Sequence, residues 1–143
     1  CGGNIEGMRI AVLGVSFKPN TDDVRAAPSL VVIPLLQEQG AKVAAYDPAA
    51  METAAEHLDE VEWCKDEYEA INGADALVIL TEWNEFRALD LDRLAEIMKS
   101  KCIIDMRNIY KVSDMRAKGF HYISVGRPAV LPSIAAVKKA AAK

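Results

Sequence analysis

Three positively charged side chains follow apolar segments of the sequence, where together they could hold a diphosphate. Lys18 and Arg25 lie in a long polar loop after the first apolar segment, and Arg107 follows a later one. If these segments are parallel strands of one sheet, both loops leave from the same edge and the three cations converge there. Lysine supplies a point charge, whereas arginine presents a planar fork of donors. The alternative is that Lys18 and Arg25 only form weak surface ion pairs with Asp22 and Asp23.

The glycine after the first apolar segment does not belong to a dinucleotide-binding loop. Gly14 ends the segment GMRIAVLG, and the next residues are VSFKP. The G-x-G-x-x-G pattern, which lets the backbone approach a pyrophosphate, is therefore absent. Asp47 resembles the ribose-binding acid of a dinucleotide site, but the pair Asp47-Pro48 is also a strong helix start. We predict that Asp47 caps a helix, that Thr81 caps a later one, and that the fold is dinucleotide-like without dinucleotide chemistry.

No pattern of catalytic or metal-binding residues is present in the sequence. Cys1, Cys64 and Cys102 are widely spaced and form neither a C-x-x-C motif nor a cluster with histidine. Cys102 opens an apolar segment and is predicted to be a small buried residue. His57 and His121 have no partners that would suit acid–base work, so we predict structural roles for both. Free cysteines fit a reducing cytoplasm, which is the predicted location.

Short apolar segments alternate with amphipathic stretches along the whole chain. The predicted strands are residues 9–13, 42–46, 76–80, 102–105 and 120–125. The predicted helices are residues 28–39, ending at Gly40, then 48–57, 66–72, 90–99 and 113–118. Pro34 lies inside the first helix and predicts a kink or a late start there. Strands that alternate with helices predict an α/β fold, a Rossmann-like doubly wound parallel sheet in three α/β/α layers.

Length and composition fit a single domain. The 143 residues, 51% of them hydrophobic, suffice for one core, and the net charge of −4 argues against nucleic-acid binding. No apolar segment approaches the ~20 residues that a membrane helix needs. The chain opens with CGGN and has no initiator methionine, so we expect it to be part of a longer protein. We predict a linker end at residues 1–7, an α/β domain at 8–128 and a tail at 129–143.

Four segments resemble one known family. Residues 10–28 (IAVLGVSFKPNTDDVRAAP), 29–48 (SLVVIPLLQEQGAKVAAYDP), 74–90 (ADALVILTEWNEFRALD) and 104–110 (IDMRNIY) are similar to the C-terminal domain of the UDP-glucose/GDP-mannose dehydrogenase family. The resemblance extends over about residues 8–127. The TEWNEF and DMRNIY segments look most like the UDP-glucose 6-dehydrogenase branch. The GDP-mannose and UDP-N-acetylmannosamine branches are the alternative within the family, and a stand-alone nucleotide-binding module is the alternative outside it.

The resemblance implies the UDP-binding part of a three-part oxidoreductase. Such an enzyme converts UDP-glucose, two NAD and water to UDP-glucuronate and two NADH, a step of polysaccharide biosynthesis. It holds NAD mainly in a domain that this chain lacks, and it forms a homodimer or a higher homo-oligomer. The family's nucleophilic cysteine lies in a G-G-x-C-x-P-K-D type motif, which is absent here. We therefore expect no catalytic residue in this chain and no activity from it alone.

The resemblance also assigns roles to individual residues. It implies that Phe17 and Lys18 lie against the sugar and diphosphate, Phe17 as a wall that also offers backbone groups. The alternative for Phe17 is a core position beneath the loop. Arg107 would reach the nucleotide, or else pair with Asp105. Arg25 would contact the cofactor across the cleft, although alanines follow it at positions where the family commonly has an acidic residue and a serine.

Overall fold

One parallel sheet organises residues 2–131, the part of the chain that the computed structural model describes. Within that part the strand order is β3-β2-β1-β4-β5-β6, and every strand pair is parallel. The strands are β1 (Arg9–Leu13), β2 (Lys42–Tyr46), β3 (Glu62–Trp63), β4 (Ala76–Ile79), β5 (Cys102–Asp105) and β6 (His121–Ser124). The chain winds outward in both directions from the centre, which confirms the predicted doubly wound fold.

Helices cover both faces of the sheet. They are α1 (Ser29–Glu38), α2 (Met51–Ala55), α3 (Glu67–Ile71), α4 (Asn84–Arg87), α5 (Leu91–Ile97) and α6 (Val112–Ala117). Successive side chains of β1 point to opposite faces, so Ile10 and Val12 join one buried cluster while Leu13 joins the other. Two cores on a central sheet make the three α/β/α layers that were predicted. No helix in the described part of the chain is long and apolar enough to cross a membrane.

Two short elements differ from the sequence prediction. The prediction missed β3, which has two residues and pairs only with Ala44 and Ala45 of β2. It also missed α4, a helix of four residues. Neither is long enough to display a hydrophobic period, so tertiary contacts alone define them. The predicted helix at 48–57 is shorter than expected, because Asp47 and the next residues form a turn before α2 begins at Met51.

The first helix accommodates its internal proline. Of the two outcomes predicted from Pro34, a kink or a late start, the late start does not occur, because helix α1 runs from Ser29 to Glu38; the kink stays a prediction. Pro34 lies on the exposed side of the helix, next to exposed Val31 and Leu35. The helix ends as predicted at Gly40, which has a φ of +88° and donates its N–H to the Gln37 carbonyl.

The predicted tail at 129–143 lies mostly outside the described residues, which end at Leu131. In its described part, Val130 is buried and forms an antiparallel bridge with Tyr122. The chain after β6 therefore folds back onto the sheet as far as Val130.

Candidate functional site

The carboxyl edge of the sheet contains a topological switch point between β1 and β4. These two strands are neighbours, yet the chain leaves β1 toward β2 and leaves β4 toward β5. The crossovers therefore diverge at this point and leave a crevice, where open α/β sheets bind their ligands. The loops after β1, β4 and β5 all leave from this edge. They contain every candidate binding residue named from the sequence: Phe17, Lys18, Arg25 and Arg107.

The loops after β1 and β4 are in direct contact. Gly14 has a φ of +90°, and a Cβ at this position would lie 2.5 Å from the Thr81 Cβ. The Thr81 hydroxyl donates to the Ser16 carbonyl at 2.8 Å. The predicted helix cap by Thr81 is therefore wrong, because its hydroxyl crosses to the neighbouring loop and α4 begins without a side-chain cap. Only a glycine allows the two loops to approach this closely.

Asp47 joins the loop after β1 to the turn after β2. Its side chain is fully buried, and Oδ2 accepts hydrogen bonds from the Val15 N–H at 2.9 Å, the Ser16 N–H at 3.0 Å and the Ser16 hydroxyl at 2.8 Å. Oδ1 accepts the N–H groups of Ala49 and Ala50, both at 2.9 Å. The predicted helix cap is therefore wrong, because α2 begins after Ala50 without a side-chain cap and Asp47 Oδ1 instead holds the turn that precedes the helix. The contacts of Oδ2 were not predicted.

Further side chains fix the inner part of the first loop. Ser29 donates its hydroxyl to the Val15 carbonyl at 2.8 Å, and the Trp83 Nε1–H donates to the Ser16 hydroxyl at 3.1 Å. Asp47 accepts the N–H groups of Val15 and Ser16, and Ser29 and Thr81 donate to their carbonyls, so the backbone polar groups of both residues are satisfied within the protein. The inner part of the loop is therefore a rigid support and presents no free backbone donor at these two residues.

The outer part of the same loop turns toward solvent. Phe17 is 45% exposed, which rules out the core position considered for it. The Phe17 N–H donates to the Asp23 carbonyl at 2.7 Å and closes the loop, so this N–H is not open to a ligand. Lys18 is exposed and forms no ion pair with any of the described residues. Its side chain can move to meet an anion at this edge.

Arg25 is held by a neighbouring carboxylate. Its Nε lies 3.1 Å from Asp23 Oδ1 and its Nη2 lies 3.0 Å from Asp23 Oδ2. This is the surface ion pair with a neighbouring aspartate that the sequence analysis gave as the alternative for Arg25. The Arg25 side chain, followed by its backbone N–H and more weakly by the charge of Lys18, lowers the pKa of Asp23. The Arg25 side chain is 90% exposed, and a pair so exposed is weak enough to exchange for another anion.

Arg107 is anchored beside the switch point. Its Nε donates to the Leu80 carbonyl at 2.8 Å and lies 3.2 Å from Glu82 Oε2. The side-chain pair with Asp105 that was considered is not formed, and Asp105 instead accepts the Arg107 backbone N–H at 2.9 Å. Neither Nη group donates to an acceptor within the described residues. The guanidinium is therefore oriented by one nitrogen, and two remain for a ligand.

A buried carboxylate supports the loop that carries Arg107. Asp105 is fully buried, and its Oδ2 accepts the N–H groups of Ile109 and Tyr110 and the hydroxyl of Tyr122 at 2.5 Å. Burial, and then the contact with Asp105, raises the pKa of Tyr122. This side chain therefore remains a neutral donor, and the loop after β5 is fixed from below.

Arg127 extends this support from the chain after β6. Its Nη2 donates to the Tyr122 hydroxyl at 2.7 Å, and its Nη1 donates to the Tyr110 carbonyl at 3.0 Å. Asn108 and Val125 exchange two hydrogen bonds, at 3.0 and 2.9 Å, which tie the two loops together. The sequence prediction did not name Arg127. It could have been found by the criterion that identified Arg107, a cation that follows a strand at the carboxyl edge.

Two carboxyl groups lie together between α3 and α4. Glu67 is buried, and burial, followed by its contact with Glu85, raises its pKa to about 7. The Tyr46 hydroxyl at the end of β2 donates to Glu85 Oε2 at 3.3 Å. Burial, and then the charges of Glu85 and Glu67, raises the pKa of Tyr46 to about 12. This cluster was not predicted, since nothing in the local sequence brings positions 46, 67 and 85 together.

The described residues contain no cluster of metal-ligating side chains. Cys64 and Cys102 are free and buried, as was predicted for Cys102. Burial, followed by the charge of Glu62, raises the pKa of Cys64 to about 11. The Cys64 thiol is therefore protonated at neutral pH and unsuited to act as a nucleophile.

Comparison with known proteins gives a consistent relationship. Residues 11–112 match the family described as "UDP-glucose/GDP-mannose dehydrogenase family, UDP binding domain". A UDP-glucose 6-dehydrogenase of Rhizobium meliloti (strain 1021) is 53% identical over 127 residues, which cover 89% of this chain and 29% of that protein. The chain thus spans less than a third of the length of the curated relatives that it matches.

Solved structures of related dehydrogenases have the same fold. A UDP-glucose dehydrogenase from Pyrobaculum islandicum superposes with a TM-score of 0.69 at 33% identity, covering 87% of this chain and 26% of that one. A UDP-D-ManNAc dehydrogenase from Pyrococcus horikoshii gives 0.66 at 32% identity, covering 86% of this chain and 26% of that one.

Proposed function

Because the chain belongs to the UDP-glucose/GDP-mannose dehydrogenase family and corresponds to its UDP-binding domain, we propose that it holds the diphosphate of a UDP-sugar at the carboxyl edge of the sheet. In this proposal the ligand lies between the loop after β1 and the loop after β5. Lys18 and Arg107 supply the positive charge, and the exposed ring of Phe17 forms a wall beside the sugar.

The orientation of Arg107 is the observation that carries this proposal. Its Nε is fixed on the Leu80 carbonyl and beside Glu82, so the Nη groups remain for phosphate oxygens. The Thr81–Ser16 hydrogen bond connects this part of the edge to the loop that carries Lys18. An arginine held at its Nε combined with an exposed lysine suits a ligand with two adjacent phosphates.

The activity of the whole protein is part of the proposal. We infer that it oxidises the C6 alcohol of UDP-glucose to a carboxylate with two NAD, and that this chain contributes the substrate-binding part. NAD would accept the two hydrides.

The first loop does not suit a dinucleotide, because it lacks the glycines of the dinucleotide-binding pattern and its Val15 and Ser16 N–H groups are already bonded. NAD would therefore be held mainly elsewhere, with Arg25 as a contact across the cleft after exchange of its Asp23 pair. A homo-oligomeric assembly and a cytoplasmic location remain predictions.

UDP-glucose is the preferred sugar nucleotide. The 53% identity to a UDP-glucose 6-dehydrogenase supports it. UDP-N-acetylmannosamine is the second candidate, since a UDP-D-ManNAc dehydrogenase is among the structural relatives at 32% identity. The two sugars share the UDP group, so the diphosphate site proposed here is the same for both.

Titration of the chain with UDP, GDP and NAD tests the proposal. UDP should perturb the NMR signals of the loops after β1 and β5 and bind more tightly than GDP or NAD. Lys18→Ala and Arg107→Ala should each weaken UDP binding by about 10- to 100-fold, because a hydrogen bond to a charged group contributes about 1.5–3 kcal/mol. Arg116→Ala removes an exposed arginine in the last turn of α6, which leads into the opposite, amino edge of the sheet, and is the control. Unchanged UDP affinity in both variants would contradict the assignment.

A further inference from the structure

The N–H groups after β1 point at a carboxylate of the protein itself. In dinucleotide-binding domains of this fold, the turn after the first strand directs backbone N–H groups at a pyrophosphate. Here the Val15 and Ser16 N–H groups, at the same place in the fold, both donate to Asp47 Oδ2, at 2.9 and 3.0 Å. The Ser16 hydroxyl makes a third contact with the same oxygen at 2.8 Å.

We propose that Asp47 is a specificity-determining residue, whose carboxylate occupies the N–H groups after β1 and excludes a ligand phosphate from that position. Asp47 follows β2, the strand after which dinucleotide-binding domains place the acid that binds the ribose. Here the side chain turns inward and is fully buried, so it offers nothing to a ribose. Because of Asp47, the N–H groups that would bind a pyrophosphate are occupied and the acid that would bind a ribose is buried.

Other contacts make this arrangement difficult for a ligand to displace. Asp47 Oδ1 is held by two N–H groups of the turn before α2, Ser29 holds the Val15 carbonyl, and Thr81 holds the Ser16 carbonyl. A phosphate could enter only by displacing a carboxylate with five donors, at the cost of burying it unpaired.

The position of the diphosphate follows from this exclusion. The start of α1 offers no good substitute, because the N–H groups of Leu30 and Val31 donate to the carbonyls of Ala27 and Pro28 and the first residue, Ser29, is buried. A ligand anion must therefore rely on side chains farther out, namely Lys18 and Arg107. This last step rests on the proposed function, whereas the exclusion by Asp47 does not.

Asp47→Gly tests the exclusion with inorganic phosphate as the probe. The variant frees the Val15 and Ser16 N–H groups, so phosphate should shift their amide signals in a saturable manner and raise the melting temperature more than chloride at equal ionic strength. The apparent phosphate affinity at these two amides should be at least tenfold higher than in the unaltered chain. Thr81→Val is the matched control, since it removes a hydrogen bond from the same loop without freeing an N–H group.

Two further arrangements keep the test decisive. If Asp47→Gly does not fold in chloride, its refolding in phosphate against chloride is compared, and Asp47→Ser is used for the amide signals, since serine retains an acceptor for the turn before α2. The inference is overturned if a folded variant shows no phosphate response at Val15 and Ser16, if Thr81→Val responds equally, or if the unaltered chain binds phosphate at these amides with an affinity within tenfold of the variant's. Titration with UDP is a separate measurement, so its failure would count against the proposed function alone.

Discussion

Gly14 and Thr81 approach each other so closely that a Cβ on the glycine would lie 2.5 Å from the Thr81 Cβ and 2.7 Å from the Thr81 backbone nitrogen. This contact joins the loops after β1 and β4 at the switch point, and the hydrogen bond from Thr81 to Ser16 continues it. Because one of the clashing atoms belongs to the backbone, the clash of a larger residue at position 14 is not relieved by rotation of a flexible side chain.

Gly14→Ala should therefore destabilise the protein strongly. The positive φ of +90° is unfavourable for alanine, and the clash adds to it. Strain and overpacking each cost about 1–3 kcal/mol, so we expect a loss of about 2–6 kcal/mol in the free energy of unfolding. Urea denaturation measures it. Gly73→Ala is the control, since its φ is +73° but a Cβ there meets nothing within 4 Å. Equal losses in the two variants would show that the close approach is unimportant.

Tyr122→Phe should loosen the loop that carries Arg107. The change removes a hydroxyl that donates to Asp105 and accepts from Arg127, both of which then lose a partner. We expect a loss of about 1–3 kcal/mol in the free energy of unfolding, together with weaker UDP binding. Tyr68→Phe is the comparison, since its hydroxyl accepts one N–H from Asp90 away from the site. An equal change of UDP affinity in Tyr68→Phe and Tyr122→Phe would argue against the idea that Tyr122 supports the loop of Arg107.

The Glu67 carboxyl should make stability depend on pH. Its folded pKa of about 7 lies above the ordinary value of 4.5, so the folded state binds the proton more tightly than the unfolded state does. The contribution is complete below about pH 4.5 and is lost as the pH rises through 7. Glu67→Gln should flatten the stability profile in that window and stabilise the protein at pH 8. Glu96→Gln, with the same change of charge at an exposed position, should leave the slope unchanged. If the pH dependence of the free energy of unfolding is unaltered in Glu67→Gln, Glu67 is not its origin.

Arg25→Ala should change neither the stability nor the UDP affinity of this chain. The Arg25–Asp23 pair is exposed, and such pairs contribute little to stability because solvent and salt screen them. We expect no measurable change in the free energy of unfolding, and the Kd for UDP should stay within about twofold. Urea denaturation and UDP titration measure both values. A large loss of UDP affinity would move Arg25 from the proposed cofactor side of the cleft to the nucleotide side.

The sequence by itself determined the central strands and the edge at which a ligand could bind. The predicted bounds of β1, β2 and β5 agree with the structure, because apolar β-forming segments followed by glycine or aspartate are a local signal. Alternation of these segments with helices was sufficient to predict a parallel sheet, and the position of Lys18 and Arg107 in loops at its carboxyl edge followed from that.

Only the tertiary structure decided how the side chains at that edge are used. Asp47 meets Val15 across 32 positions, Thr81 meets Ser16 across 65, and Tyr122 meets Asp105 across 17. Each residue had a plausible local role as a helix cap or a strand residue, and its actual partner is set by which strand ends become neighbours. Hydrogen bonds between loops depend on strand order and backbone direction, which no local pattern encodes. The same reason explains why Arg107 was identified from the sequence, whereas the support that Asp105, Tyr122 and Arg127 give its loop was not.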